Sequence, residues 1–134
     1  MRSYYLNMNP YFSRQEGMAV LSILADIATA DELTMGEAGL MSVIGEKLGL
    51  ANQRDLDQVK NLSPRQVIPI ISQMSYEKRK LVTCMMLMMV FQDGRLSEEE
   101  KVLYPEIASQ CNLTIDEDIM PQEAHYLVGN WLNS

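Results

Sequence analysis

Four carboxylates stand at two places where the sequence could build a site for a hard cation. Asp31 and Glu37 lie in Asp31-Glu32-Leu33-Thr34-Met35-Gly36-Glu37, and Asp93 and Glu100 in Asp93-Gly94-Arg95-Leu96-Ser97-Glu98-Glu99-Glu100. An all-oxygen donor set of this kind suits Ca²⁺ or Mg²⁺, provided that the carboxylates of the two segments converge. The same residues have a second use. Glu37 and Glu100 each follow a Thr or Ser by three positions, which is the spacing of a capping box at a helix N-terminus. Asp93 and Gly94 are ordinary turn formers, and Glu98 and Glu99 complement the helix dipole. Convergence of Asp31, Glu37, Asp93 and Glu100 is what separates a metal site from a pair of helix caps.

Other chemistry-bearing residues are sparser. Asp93, Gly94, Leu96, Ser97 and Glu100 fall at the fifth, sixth, eighth, ninth and twelfth positions of an EF-hand loop. Met89 and Phe91 would then fill the first and third ligand positions, and Ala28 and Ala30 would do so in the other segment, so an independent EF-hand fails in both. Cys84 with Met85, Met86, Met88 and Met89 offers soft ligands for Cu(I), but methionines on an apolar helix are expected as adaptable core packing. Cys84 and Cys111 form no metal-ligand spacing and read as buried reduced thiols. His125 is the single histidine and is expected on a partly exposed helix face. Neither a nucleophile with its base nor a phosphate-binding glycine loop is recognisable, so no catalytic residue is assigned. Lys78, Arg79 and Lys80 occupy the first turns of a helix, where cations oppose the dipole. They should pair with acids, the sharper alternative being a docking patch for an acidic partner or lipid headgroups.

The elements that would position these residues read as helices throughout. Ser13-x-x-Glu16, Thr34-x-x-Glu37, Ser63-x-x-Gln66, Ser97-x-x-Glu100 and Thr114-x-x-Glu117 each mark a start, and Asn52 with Asp55 is a further cap pair. Apolar residues recur at helical spacing behind them: Val20, Leu21, Leu24 and Ile27, then Leu40, Met41, Ile44 and Leu48, then Leu56, Val59 and Leu62. Gly49 stands where a left-handed helix end is useful. Pro64 suits a first helical position, whereas Pro69 should bend or shorten its helix and Pro105 should kink its own. The stretch from Ser75 to Gln92 is apolar on nearly all faces beyond Leu81 and is expected at the centre. Val102, Leu103, Ile107 and Ala108 should face inward from the next helix, and Ala124, Leu127, Val128, Trp131 and Leu132 from the last. Tyr4, Tyr5, Tyr11 and Phe12 either fold over the core or form a self-association surface, which leaves a homo-oligomer open.

Residues 24 to 50 repeat 63 positions later. Leu24, Leu33, Glu37, Leu40, Ile44 and Leu50 meet Leu87, Leu96, Glu100, Leu103, Ile107 and Leu113, and Thr34 meets Ser97. The reading is one all-α domain over residues 1–134, a bundle of about seven to eight helices. It holds two pseudo-symmetric helix-turn-helix units at roughly 14–50 and 76–113 and a C-terminal helix at roughly 121–132.

The repeated unit resembles the TerB-like family, the all-helical domain named for a tellurite-resistance protein, whose signature is D-G-x-[ILV]-[ST]-x-x-E between two helices. Residues 93–100 match every defined position, whereas residues 31–37 lack the glycine and one residue of the turn. The resemblance spans about residues 14–113. It implies cytoplasmic location, acidic positions for metal ions, and work in stress-related, often membrane-associated assemblies.

Composition agrees with a globular chain. The 134 residues are 47% hydrophobic and 22% charged, with a net charge of −7 that repels nucleic acid. The start shows no secretory signal, and the apolar run from Leu81 to Phe91 is about half the ~20 residues of a membrane span. The expectation is a non-enzymatic cytoplasmic binding module, with a divalent cation and another protein as its ligands. The alternatives are a metal-free scaffold and, more remotely, a carboxylate enzyme, which would need a cleft holding acids of perturbed pKa.

Overall fold

The computed structural model describes residues 11–29, 35–90, 98–113 and 121–134, with the backbone alone for residues 98–101 and 121. These residues form seven helices and no strand: α1 (Arg14–Ala28), α2 (Met35–Lys47), α3 (Gln53–Lys60), α4 (Pro64–Ser72), α5 (Tyr76–Val90), α6 (Glu98–Gln110) and α7 (Pro121–Leu132). The chain is therefore an all-α bundle, and its buried apolar residues form one cluster.

The helix starts follow their side chains. At α1 the Ser13 hydroxyl accepts from the Glu16 N–H at 3.1 Å while the Glu16 carboxylate accepts from the Ser13 N–H at 2.9 Å, the reciprocal box anticipated from the spacing. Asn52 caps α3 by accepting from the Asp55 N–H at 2.8 Å, and Gln66 reaches back to the Ser63 N–H at 2.9 Å before α4. Before α5, Ser75 accepts from the Lys78 N–H at 3.3 Å. The boxes beginning at Thr34, Ser97 and Thr114 lie outside the described residues.

The helix ends are equally specific. After α2 the chain turns through Gly49 at φ +75°, with the Leu50 N–H on the Gly45 carbonyl at 2.8 Å and the Gly49 N–H on the Glu46 carbonyl at 3.0 Å. After α6 it turns through Asn112 at φ +56°, with the Leu113 N–H on the Ala108 carbonyl at 2.8 Å and the Asn112 N–H on the Ser109 carbonyl at 3.3 Å. Both ends are Schellman motifs, and each places a buried leucine, Leu50 or Leu113, just beyond the left-handed residue. They lie 63 positions apart, so the sequence offset is matched by the same local geometry at the two helix ends. No atom crowds the Cβ that an alanine would add at Gly49. Gly49→Ala should therefore cost only the left-handed backbone penalty, about 1–2 kcal/mol by urea unfolding. Asn112→Gly should not destabilise.

The sequence placed Ser75–Gln92 at the centre. Its helix α5 is indeed enclosed, with Leu81–Met86 and Met88–Val90 all buried, but α1 is the hub: it packs against α2, α3, α4, α5 and α6. The reason lies in α1's own face. Ala19, Val20, Leu21, Ile23, Leu24, Ile27 and Ala28 are all buried, and Gly17 lets Leu48 and Leu50 approach to within 3.5 Å of where a Cβ would stand. Helix α7 docks on α5 and α2 through Ala124, Val128 and Trp131. The Trp131 ring meets Phe12 edge to face at 5.7 Å, so Phe12 folds over the core, while Tyr11 is exposed.

One expectation is corrected. Val102 does not face inward; it is 70% exposed, and Tyr104, Ile107, Ala108 and Cys111 form the buried stripe of α6 at intervals of three and four residues. Two residues along a helix is about 200°, which turns Val102 away from the Tyr104 face. Pro69 and Pro105 both lie inside their helices, with α4 continuing to Ser72 and α6 to Gln110. Both prolines lie on exposed faces, so the carbonyl each deprives of a partner can be met by water.

Candidate functional site

Of the four acidic-turn residues, the described part of the structure holds one side chain. Glu37 sits in the first turn of α2, is 4% exposed and is not without an interaction partner. Glu100 belongs to α6 by its backbone, and Asp31 and Asp93 lie outside the described residues. Among the described residues no three His, Cys, Asp or Glu side chains cluster as a metal site.

The remaining chemistry-bearing residues resolve into structural parts. Cys84 and Cys111 are free and buried, and burial pushes each thiol up to about 11. Such thiols stay protonated at neutral pH and so are poor nucleophiles and metal ligands. Met85, Met86 and Met89 are at most 1% exposed and pack in the core around Cys84. Tyr104 is buried beside them, and desolvation raises its phenol to about 12. His125 is exposed on α7.

Two basic residues at the start of α5 hold the bundle together. Lys78 donates to Glu16 at 2.7 Å, which ties the N-terminus of α5 to the capping carboxylate of α1. Burial alone would raise the Glu16 carboxyl, but hydrogen bonds from Lys78 and Ser13, with the Lys78 charge, outweigh it and hold it below its ordinary range. Arg79 donates to the Asn112 carbonyl at 2.8 Å and to the Met74 carbonyl at 3.2 Å, so it ties off the turns that end α6 and α4. Pairing with acids therefore accounts for Lys78, whereas Arg79 serves helix ends. Asp55 adds a link that the sequence reading missed. Besides its capping role it is buried and bonded to Arg14 of α1, whose guanidinium holds the carboxyl below its usual range. The 41-residue separation hid that pair.

Concave surface lies on both flanks of α1. Between α1, α2 and α3 a groove of about 330 Å³ is lined by apolar and small residues, among them Leu21, Ala25, Ala38 and Met41. Between α1, α4 and α6 a pocket of about 390 Å³ mixes apolar walls from Ile23, Val67, Ile68 and Leu103 with Ser22, Asp26 and Glu106. Partial burial raises the Asp26 carboxyl above its ordinary range. Sequence reasoning found neither Asp26 nor Glu106, because each is a lone acid on an amphipathic helix until α1 and α6 pack together. Ser22, Asp26 and Thr29 share one face of α1 by their spacing of four and three residues.

Comparison of the chain with protein-family models, curated proteins and solved structures found no match.

Proposed function

We propose that the chain is a non-enzymatic TerB-like binding module, working in the cytoplasm with a protein partner and holding Ca²⁺ or Mg²⁺ at its acidic turns. The observation that supports this reading is the recurrence, 63 positions apart, of the Schellman ends after Gly45 and Ala108. The resemblance rests on a duplicated unit, and two alike helix ends at the same offset support that reading. The inward position of Glu37 adds support, since it draws one acidic-turn carboxylate into the protein at a helix N-terminus. A protein partner suits the concave, largely apolar surfaces beside α1. A stress-related role and a peripheral membrane-associated assembly are what the resemblance adds. No helix among the described residues is long and apolar enough to cross a membrane.

Calorimetric titration of metal-free protein with Ca²⁺, Mg²⁺, Mn²⁺ and Zn²⁺ tests the cation part. The expected result is binding of a hard cation that weakens at least ~10-fold in an Asp93→Asn/Glu100→Gln double variant. No binding at millimolar metal, or equal binding by the variant, refutes the cation site and leaves a metal-free scaffold whose acidic turns are caps.

The carboxylate-enzyme alternative gains one observation: Asp26, an acid of raised pKa, shares a pocket with Glu106. Ser22 supplies no activated nucleophile there, because among the described residues nothing hydrogen-bonds its hydroxyl, Asp26 included. Binding is the reading that this pocket favours.

A further inference from the structure

The pocket between α1, α4 and α6 combines an apolar wall with polar residues, and the charges among its lining residues are both negative, with Ser22, Thr29 and Gln110 as neutral polar neighbours. Asp26 and Glu106 contribute carboxylates. Ser22, 8% exposed and therefore more than nine-tenths buried, lines the same space with a hydroxyl that no described residue satisfies. A serine within a helix has a ready partner in the carbonyl four residues back, the bond that Thr29 and Thr83 make here at 2.7 and 3.0 Å. The Ser22 hydroxyl makes no such bond and lines the pocket where water reaches its oxygen, so it is free to accept from a ligand.

The chemistry of the lining selects the ligand. A bare Ca²⁺ or Mg²⁺ needs six or more oxygens, and two carboxylates beside a mostly aliphatic wall do not supply them. A carboxylate or phosphate ligand is repelled by Asp26 and Glu106 and by the net charge of −7. A neutral apolar ligand would bury the carboxylates without compensation. An ammonium group carries three donors and no acceptor, which matches two carboxylates and a hydroxyl, and an alkyl chain behind it matches Ile23, Ile68 and Leu103. The volume of about 390 Å³ lies in the range of small-ligand sites. The desolvation that raises Asp26 is offset by attraction when a cation is brought beside it.

We propose that this pocket is a binding site for a primary alkylammonium group, held by Asp26, Glu106 and the Ser22 hydroxyl, with its alkyl chain along Ile23, Ile68 and Leu103. The group arrives either on a free diamine or as the lysine side chain of a partner protein. The site is independent of the acidic turns and stands whether or not they bind a cation.

The test is NMR titration of the intact chain with pentylamine, 1-pentanol, 1,5-diaminopentane and Nα-acetyl-lysine N-methylamide at about 0.15 M salt, where long-range attraction is screened. Pentylamine should shift the amide signals of α1 and α6 around Ser22, Asp26 and Glu106, and 1-pentanol should not. Asp26→Asn and Glu106→Gln should each weaken binding by ~10-fold or more, the loss of a charge-assisted hydrogen bond. Ser22→Ala should weaken it several-fold, and Glu46→Gln on exposed α2, which changes the net charge equally, should not. Both acids are exposed, so far-UV circular dichroism of the variants should remain native. Tighter binding of the lysine derivative assigns the ammonium to a protein partner, and tighter binding of 1,5-diaminopentane to a free diamine; either sustains the site. Equal binding of pentanol and pentylamine, or variants at Asp26 and Glu106 no weaker than Glu46→Gln, overturns it.

Discussion

Leu24→Ala is expected to destabilise the protein by about 2–5 kcal/mol, and Leu87→Ala by roughly half as much, although the two leucines occupy equivalent places in the sequence repeat. Leu24 is 0% exposed on α1, the helix on which five others pack, whereas Leu87 on α5 is only partly buried. Removing three methylene-sized groups from Leu24 leaves a cavity whose walls are held by separate helices, so little of it can close. At Leu87 water or a neighbouring flexible methionine can reach the vacated space, and mainly the transfer term is lost. Urea unfolding of both variants, compared at a common slope, measures the difference. A Leu87→Ala cost equal to that of Leu24→Ala would mean that α5, and not α1, is the helix that organises the bundle.

That asymmetry shows where sequence reading succeeds and where it stops. Helix starts were legible because a cap is a short-range bargain between residues three apart: Ser13 with Glu16, Asn52 with Asp55 and Ser63 with Gln66 make contacts that their spacing anticipates. Gly49 was legible as a helix end for the same reason. Its counterpart Asn112 was not singled out, since asparagine tolerates the left-handed region without announcing it as glycine does. The inward face of α6 was misjudged at Val102 because a run of apolar residues fixes a helix but not its rotation. Tyr104, amphipathic and easily assigned outward, took the core position. Hub and satellite could not be told apart either. An all-apolar helix such as α5 advertises its burial, but α1 reaches more neighbours because Gly17, Ala19, Ala25 and Ala28 leave little side chain between it and them.

The candidate sites divide along the same line. Asp31, Glu37, Asp93 and Glu100 stand out because they recur in a local motif, and a motif reports equally on capping and on ligation. Asp26 and Glu106 have no motif. They become a pair only when α1 and α6 pack, 80 residues apart in the chain. Arg14 with Asp55 and Glu16 with Lys78 are likewise products of tertiary packing. Charge pairs that cross the bundle cannot be inferred from one sequence, and in this protein they fasten α3 and α5 to the first turn of α1.

Lys78→Met should cost about 1–2 kcal/mol at neutral pH, and most of that cost should vanish in acid. Lys78 and Glu16 are 23% and 19% exposed in their side chains, intermediate between a screened surface pair and a buried one. Methionine keeps most of the aliphatic packing and leaves the Glu16 carboxylate with Ser13 alone. The sign with pH follows from the direction of the Glu16 shift. Its folded-state pKa is depressed, so its stabilisation is present above the unfolded value of about 4.3–4.5 and is lost as pH falls through the lower, folded value. In Lys78→Met the remaining burial acts without the cation, the depression shrinks, and the Glu16 part of the difference between wild type and variant should be lost as pH falls through the lowered folded value. Lys78 also lies 6.0 Å from the centroid of the Phe12 ring, a cation–π contact that does not depend on Glu16 being ionised. Urea unfolding of wild type, Lys78→Met, Glu16→Gln and the double variant at about pH 7 and pH 3 separates the two contributions. The coupling energy of the cycle should be present at neutral pH and absent in acid, and any cost of Lys78→Met that survives in acid belongs to Phe12. A cost unchanged between the two pH values would place the work of Lys78 on the aromatic ring and leave Glu16 as a helix cap only.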